Sequence, residues 1–309
     1  MIPSLFRIFV IGRNTLIEAV RQKVLSVLLI FGLILVGSSV YVSTIATPGL
    51  DAAGLFDEQI KFVKDFGCGA IELFGFAIAL LSTAQLIPQE LHNRTVYTIL
   101  AKPVRRAEFL LGKFFGVILL LALAVMLMTL AFAASLYWQE TVGFNYVRDI
   151  YDQHMPANWQ NNPQMAAQYH HDIQDIVNKV QDPQLIKAIL LLFAKMVMTA
   201  GIALLISTFA TSSIFTIITT FMIYLIGHME GMAREVWLAR GAETSIWQSG
   251  LTGLISLLIP DLNSFTIVDE ILAGNHVPWA HTLNLLGYAE VYLVVLLAVS
   301  IIIFDFREI

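Results

Sequence analysis

The side chains in this sequence that could do chemistry are few, and the first of them is Lys195. It stands about seven residues inside an uncharged apolar run, Ala188–Ala210, otherwise long enough to cross a bilayer. A lysine at such a place costs on the order of 2.5–3.5 kcal/mol on insertion scales. It is kept there by pairing with an acid, by facing a polar path or subunit boundary, or by snorkelling to the membrane surface. Two acids stand in comparable runs, Glu72 and Glu290, each near one end of its run. A second set of charges crowds into Ile87–Gly116: Glu90, Arg94, Lys102, Arg105, Arg106, Glu108 and Lys113. A third set, His154, His170, His171, Asp172 and Asp175, has side chains that ligate divalent ions. Its spacing matches no fixed metal motif, so a solvated polar loop is the expectation and no metal is assigned. His228, His276 and His281 are scattered and take no role.

What is missing narrows the chemistry further. A nucleotide-binding loop needs Gly-x-x-x-x-Gly-Lys-Ser/Thr, but Gly112-Lys113 has Ala107 in place of the first glycine and Phe114 after the lysine. Gly112 and Gly116, four apart, suit close packing of one helix on a neighbour. Hydrolytic signatures such as Gly-x-Ser-x-Gly or His-Glu-x-x-His do not occur; the nearest approach is Gln248-Ser249-Gly250. The single cysteine, Cys68, allows neither an intrachain disulfide nor a paired-cysteine metal site.

The elements that must carry these residues are membrane spans. The chain is 57% hydrophobic and 13% charged, with mean hydropathy +0.74, roughly half the charged fraction of a soluble domain. The expected class is all-α and polytopic, a single domain over 1–309 with six transmembrane helices. The spans are expected at about 24–46, 68–87, 114–138, 188–210, 214–228 and 285–304. Residues 1–23 alternate Leu5, Phe6, Phe9, Val10, Leu16 and Ile17 with Arg7, Arg13 and Arg21, the pattern of an amphipathic helix lying on a membrane surface. Within 88–113, Val96, Ile99 and Leu100 give a short helical stripe that Pro103 stops. Residues 139–187 read as an acidic external insert with one helix near 165–180. Residues 229–284 read as an external loop whose apolar run Ile246–Ile259 is too short to cross and is expected to be re-entrant or interfacial.

Charge sorts by side. With both termini in the cytoplasm, the inner segments hold ten Lys/Arg against five Asp/Glu, and the outer segments seven against sixteen. That bias is the positive-inside rule at work, and it assigns the basic stretch 88–113 to the cytoplasmic face of the cytoplasmic (inner) membrane.

Glu90, then Arg94-Thr95, Leu100, Pro103, Arg106, Phe109 and Gly112-Lys113 resemble the signature of ABC-2 type permeases, the membrane subunits of ATP-binding-cassette exporters. Asn14–Leu25 resembles that family's amphipathic N-terminal helix, Ala203–Ser213 its fourth-to-fifth hairpin, and Leu257–Phe265 its external element before the last span. The subgroup it most resembles is the set associated with copper-enzyme maturation. The resemblance implies a homodimer, or a pair of related permeases, resting on two ATPase subunits that bind ATP and magnesium; this chain binds no cofactor and no nucleic acid. It also implies that Glu90, Arg94, Thr95, Leu100, Pro103, Arg105, Arg106 and Lys113 couple ATPase motion to the spans. Lys195, Glu72 and Glu290 would then line the translocation path, and Lys195→Met is expected to impair transport without lowering assembly. Two other readings are an ion-coupled carrier working alone, which needs inverted repeats around a midplane site, and an intramembrane hydrolase.

Overall fold

The computed structural model of the chain describes residues 4–46, 52–92, 105–155, 159–240 and 259–307. Among them there is no strand; the protein is all-α. Ten α-helices follow one another among the described residues: α1 (Ser4–Val20), α2 (Lys23–Ala46), α3 (Ala52–Ala84), α4 (Leu86–His92), α5 (Arg106–His154), α6 (Pro163–Val180), α7 (Gln184–Phe209), α8 (Ser213–Arg240), α9 (Val268–Leu272) and α10 (Trp279–Phe306). Five helical stretches are long and apolar enough to cross a membrane, within α2, α3–α4, α5, α6–α7 and α10; α8 adds a shorter apolar stretch, Ser213–Met229.

The helices that carry the core differ from those that face outward. The window of α3 that qualifies as a span is 72% buried, as is that of α6–α7, whereas α10 is 17% buried and α2 22% buried. α7 and α3 therefore form the centre, and α2, α5, α8 and α10 surround it. The outer helices turn rows of Val, Ile, Leu and Phe outward, such as Val27, Ile30 and Ile34 on α2 and Val291, Val294 and Val295 on α10. That is the surface a hydrocarbon solvent calls for.

Several helices outrun the apolar stretches that announce them. The third span, expected to end at Trp138, continues as one helix to His154. The second begins at Ala52, sixteen residues before the expected 68. The expected insert 139–187 is thus partly the continuation of α5 and partly α6, with α7 already begun at Gln184. Backbone hydrogen bonds continue past the hydrophobic boundary as long as no Pro intervenes, and lipid thickness sets only where side chains must turn polar. Pro88 shows the opposite case. With no N–H to give, it helps set the break between α3 and α4 at Gln85. Of the expected re-entrant run Ile246–Ile259, all but Ile259 lies outside the described residues.

α1 lies along the start of α5, and glycines allow it. A Cβ on Gly112 would stand 2.7 Å from Ile11 Cβ, one on Gly116 2.5 Å from Thr15 Cβ and 2.6 Å from the Gly12 carbonyl, and one on Gly12 2.7 Å from Phe115. The neighbour against which Gly112 and Gly116 pack is α1 of the same chain. Gly116→Leu is expected to cost about 1–3 kcal/mol of overpacking strain and to lift α1 from the bundle. Faster proteolysis at Arg7 and Arg13 in the detergent-purified variant would register it; a parental digestion pattern would rule out the close fit.

Candidate functional site

Polar side chains meet at three levels of the bundle. The first is the end that carries the basic stretch. Lys113, one turn beyond the N-terminal turn of α5, donates to Glu90 Oε1 on α4 at 2.5 Å and stands 3.5 Å from Glu18 Oε2 on α1. Its ammonium also lies 5.9 Å from the centre of the Phe109 ring. Lys113 and Glu90 are both largely buried, at 8% and 12% side-chain exposure. Glu90 thus turns its carboxylate inward onto Lys113, not outward as an exposed docking helix would present it. A polar pocket beside the pair is lined by Glu18, Gln22, Ser82, Gln85 and Gln89.

Arginines complete this end. Glu108 accepts from Arg7 at 3.2 Å and from the Arg105 backbone N–H at 3.4 Å, closing the first turn of α5. The Arg105 side chain is exposed. Arg106 reaches across to the end of α10 and donates to the carbonyls of Phe304, Asp305 and Arg307 at 3.2, 3.0 and 2.9 Å. Arg307 does the same for α7, donating to the carbonyls of Thr208 and Ala210 at 2.6 and 3.2 Å. Each guanidinium fills the role that the last helical carbonyls lack. Burial lowers Arg307 from its ordinary value, yet guanidinium stays charged in proteins. Arg94, Thr95, Leu100 and Pro103 lie outside the described residues, as does Lys102.

The second level is inside the bundle. Lys195 on α7 is 2% exposed. Its ammonium donates to Glu72 Oε1 on α3 at 2.5 Å and to Thr266 Oγ1 at 3.0 Å, and lies 5.5 Å from the centre of the Tyr224 ring. The Tyr224 hydroxyl on α8 donates to the same Glu72 oxygen at 3.0 Å. Four elements therefore converge on one neutral cluster: an ion pair, a phenol and a hydroxyl. A buried pair stands only when its remaining hydrogen-bonding capacity is also met, and Tyr224 and Thr266 supply that. Phe76 and His228 extend the aromatic wall, with ring centres 4.0 and 6.2 Å from that of Tyr224. Of the two acids available to Lys195, the structure brings only Glu72 to it. Glu290 is exposed on α10, among outward-facing valines.

The third level is the acidic end. Lys64 on α3 pairs with Asp182 at 3.8 Å; Lys179 on α6 pairs with Asp57 and Asp175 at 2.9 and 2.7 Å. His171 stands 3.8 Å from Asp172, whose carboxylate accepts from Tyr151 at 2.8 Å. Among the described residues no group of three metal-ligating side chains converges.

Sequence reading singled out Lys195, Glu72, Glu90 and Lys113 but missed Glu18, Tyr224 and Thr266. Glu18 sits in an amphipathic helix where any acid looks solvated. Tyr224 falls in an apolar run that tolerates aromatics. Thr266 lies in a loop that one dimension places beyond the membrane. A family profile described as an ABC-2 family transporter protein matches residues 10–309. No curated protein matches the chain.

Proposed function

The chain belongs to the ABC-2 transporter family, a multi-pass membrane subunit that transports and is not itself an enzyme, and on that premise we propose that it is the permease of an exporter driven by a separate ATPase pair. In this reading the chain crosses the cytoplasmic membrane six times, with α8 as the fifth crossing and both termini inside. The basic end is then cytoplasmic and the acidic end external, as the positive-inside bias directs. Two permease copies, or this chain and a related one, stand on two ATP-hydrolysing subunits that hold ATP and magnesium.

The observation that carries the reading is the family match over nearly the whole chain; the geometry supports a route for the drive. Residues 93–104, bearing Arg94, Thr95, Leu100 and Pro103, connect α4 to α5. On either side of them, Glu90 and Lys113 tie α4, α5 and α1 into one polar joint, and Arg106 ties α5 to the end of α10, whose Arg307 in turn holds the end of α7. A push on the connecting segment is thereby handed to five helices. Lys195 and Glu72 sit in the interior where α7, one of those helices, meets α3 and α8, and Glu290 lies on the outward face of α10, where a second permease copy would pack.

The reading is tested by purifying the chain from its native membrane with its partners. Co-purification of a protein that hydrolyses ATP, with turnover that rises in the presence of transported compounds, is the expected result. A chain that purifies alone and supports transport driven only by an ion gradient would refute it.

A further inference from the structure

Two lysines on α7 hold a connecting segment down into the bundle. Lys187 and Lys195 are eight positions apart, about 12 Å along the axis and within one helical stripe. Both are nearly sealed, at 4% and 2% exposure. Lys187 donates to the Val277 carbonyl at 2.6 Å and covers the Trp279 ring at 5.0 Å; Lys195 donates to Thr266 Oγ1 at 3.0 Å. Gln184, one turn before Lys187, accepts from the Val277 N–H at 2.8 Å and donates to the Asn275 carbonyl at 3.4 Å. The segment 259–278 is therefore gripped by α7 at both its deep tip and its return.

The seat is built for it on the other side as well. The Gly227 carbonyl of α8 accepts from Leu262 N–H at 3.1 Å, and a Cβ on Gly227 would stand 2.7 Å from the Pro260 carbonyl. Leu262, Phe265, Ile267, Val268 and Ile271 are buried against α3, α7 and α8. A loop between spans can satisfy its backbone with water at the membrane surface. This one packs among α3, α7 and α8, and the Lys187 ammonium serves one of its backbone carbonyls.

Both lysines are also placed to let go. Lys195 keeps Glu72 as its counter-charge whether or not Thr266 is present, so releasing Thr266 gives up one hydrogen bond without stranding a buried cation. Lys187 pairs with no acid among the described residues. It holds a carbonyl and a ring face, and at the start of α7 water can replace both. We propose that Lys187 and Lys195 are positioning residues for transport that clamp 259–278 as an outer gate over the interior polar cluster, opened as substrate leaves. This rests on the exporter reading for its direction only.

The gate is tested with a cysteine at Ile267, which is 2% exposed, in a Cys68→Ala background and with the full chain in nanodiscs. The probe is a trimethylammonium-ethyl methanethiosulfonate reagent. Labelling is expected to be slow in this parent and about tenfold faster with Thr266→Val or Lys187→Met added, equivalent to about 1.4 kcal/mol. Thr266→Val leaves the Lys195–Glu72 pair intact, so it reads the clamp and not the ion pair. Because Lys187→Met risks misfolding, only material that elutes as the parent does on size exclusion is compared. Parental labelling in either variant overturns the clamp at that lysine. In vesicles containing the ATPase, MgATP with vanadate is expected to speed labelling of the parent. No change there, while the ATPase stays bound, overturns the gate and leaves the exporter reading standing.

Discussion

Lys195→Met is expected to destabilise the protein by about 3–5 kcal/mol, the cost of leaving one partner of a buried ion pair behind, and to reduce the yield of folded protein. The sequence alone argued for lost transport with assembly intact, because Lys195 then faced an open path. The structure changes the expectation. Glu72 would retain only the Tyr224 hydroxyl against its charge, and that at the same oxygen Lys195 used. The Glu72 side chain is 19% exposed, so partial hydration puts the loss toward the lower end of that range. The matching variant is Glu72→Gln/Lys195→Met. It removes both charges at near-constant volume, and its amide still accepts from Tyr224. Replacing a buried pair by neutral groups is often harmless to stability, so the double variant is expected to recover most of the lost thermal stability without recovering transport. Melting temperature in detergent and transport in vesicles separate the two effects. If the single and double variants melt together, the ion pair does not govern stability. If the double variant transports normally, the charges do not serve the path.

The contrast between those two expectations shows what one dimension conveys. Hydropathy and length reveal α2, α7 and α10 because a span must be apolar for about twenty residues wherever it packs. They also flag Lys195 and Glu72 as anomalies, since each is costly in its run. They do not reveal that the two meet, because 123 positions separate them and Glu290 fits the same description. Only packing distinguishes an acid on α3, at the centre, from one on α10, at the rim. The helix ends were hidden for a different reason. Tyr137 and Trp138 mark where α5 reaches the interface, and nothing in the polar residues after them breaks a helix before Met155. The glycine fit of α1 on α5 was half legible. Gly112 and Gly116 announced a close neighbour, but the amphipathic look of α1 suggested a lipid surface as its partner. The basic stretch 88–113 reads in sequence as a cytoplasmic coupling segment, and its first acid, Glu90, faces in onto Lys113. A charged pair across a connecting segment looks the same in sequence whether it serves a partner or its own hinge.

Charge reversal at that hinge should have the larger functional effect. Glu90→Lys places a second ammonium against Lys113, which is 8% exposed and has only the well-solvated Glu18 left to pair with. Like charges at this depth disfavour the closed joint between α4, α5 and α1, so the motion of residues 93–104 would no longer reach α5 as a rigid push. The expected outcome is an ATPase that still binds and turns over at its basal rate while substrate stimulation and transport fall at least about tenfold, a loss corresponding to roughly 1.4 kcal/mol of coupling. Lys113→Glu alone gathers three acids, Glu18, Glu90 and position 113, and should fail in the same way. The exchange Glu90→Lys/Lys113→Glu restores the pair and is expected to recover coupling in part. Recovery stays partial because the new acid on α5 faces Glu18 and loses the Phe109 ring that the lysine ammonium covered. Adding Glu18→Gln to the exchange relieves the first of these defects and should raise the recovery further. That ordering, single reversals lowest, exchange higher and triple variant highest, follows from an intramolecular joint. If Glu90 instead spoke directly to a basic groove on the ATPase, the exchange would be as uncoupled as Glu90→Lys, and neutralising Glu18 would change nothing.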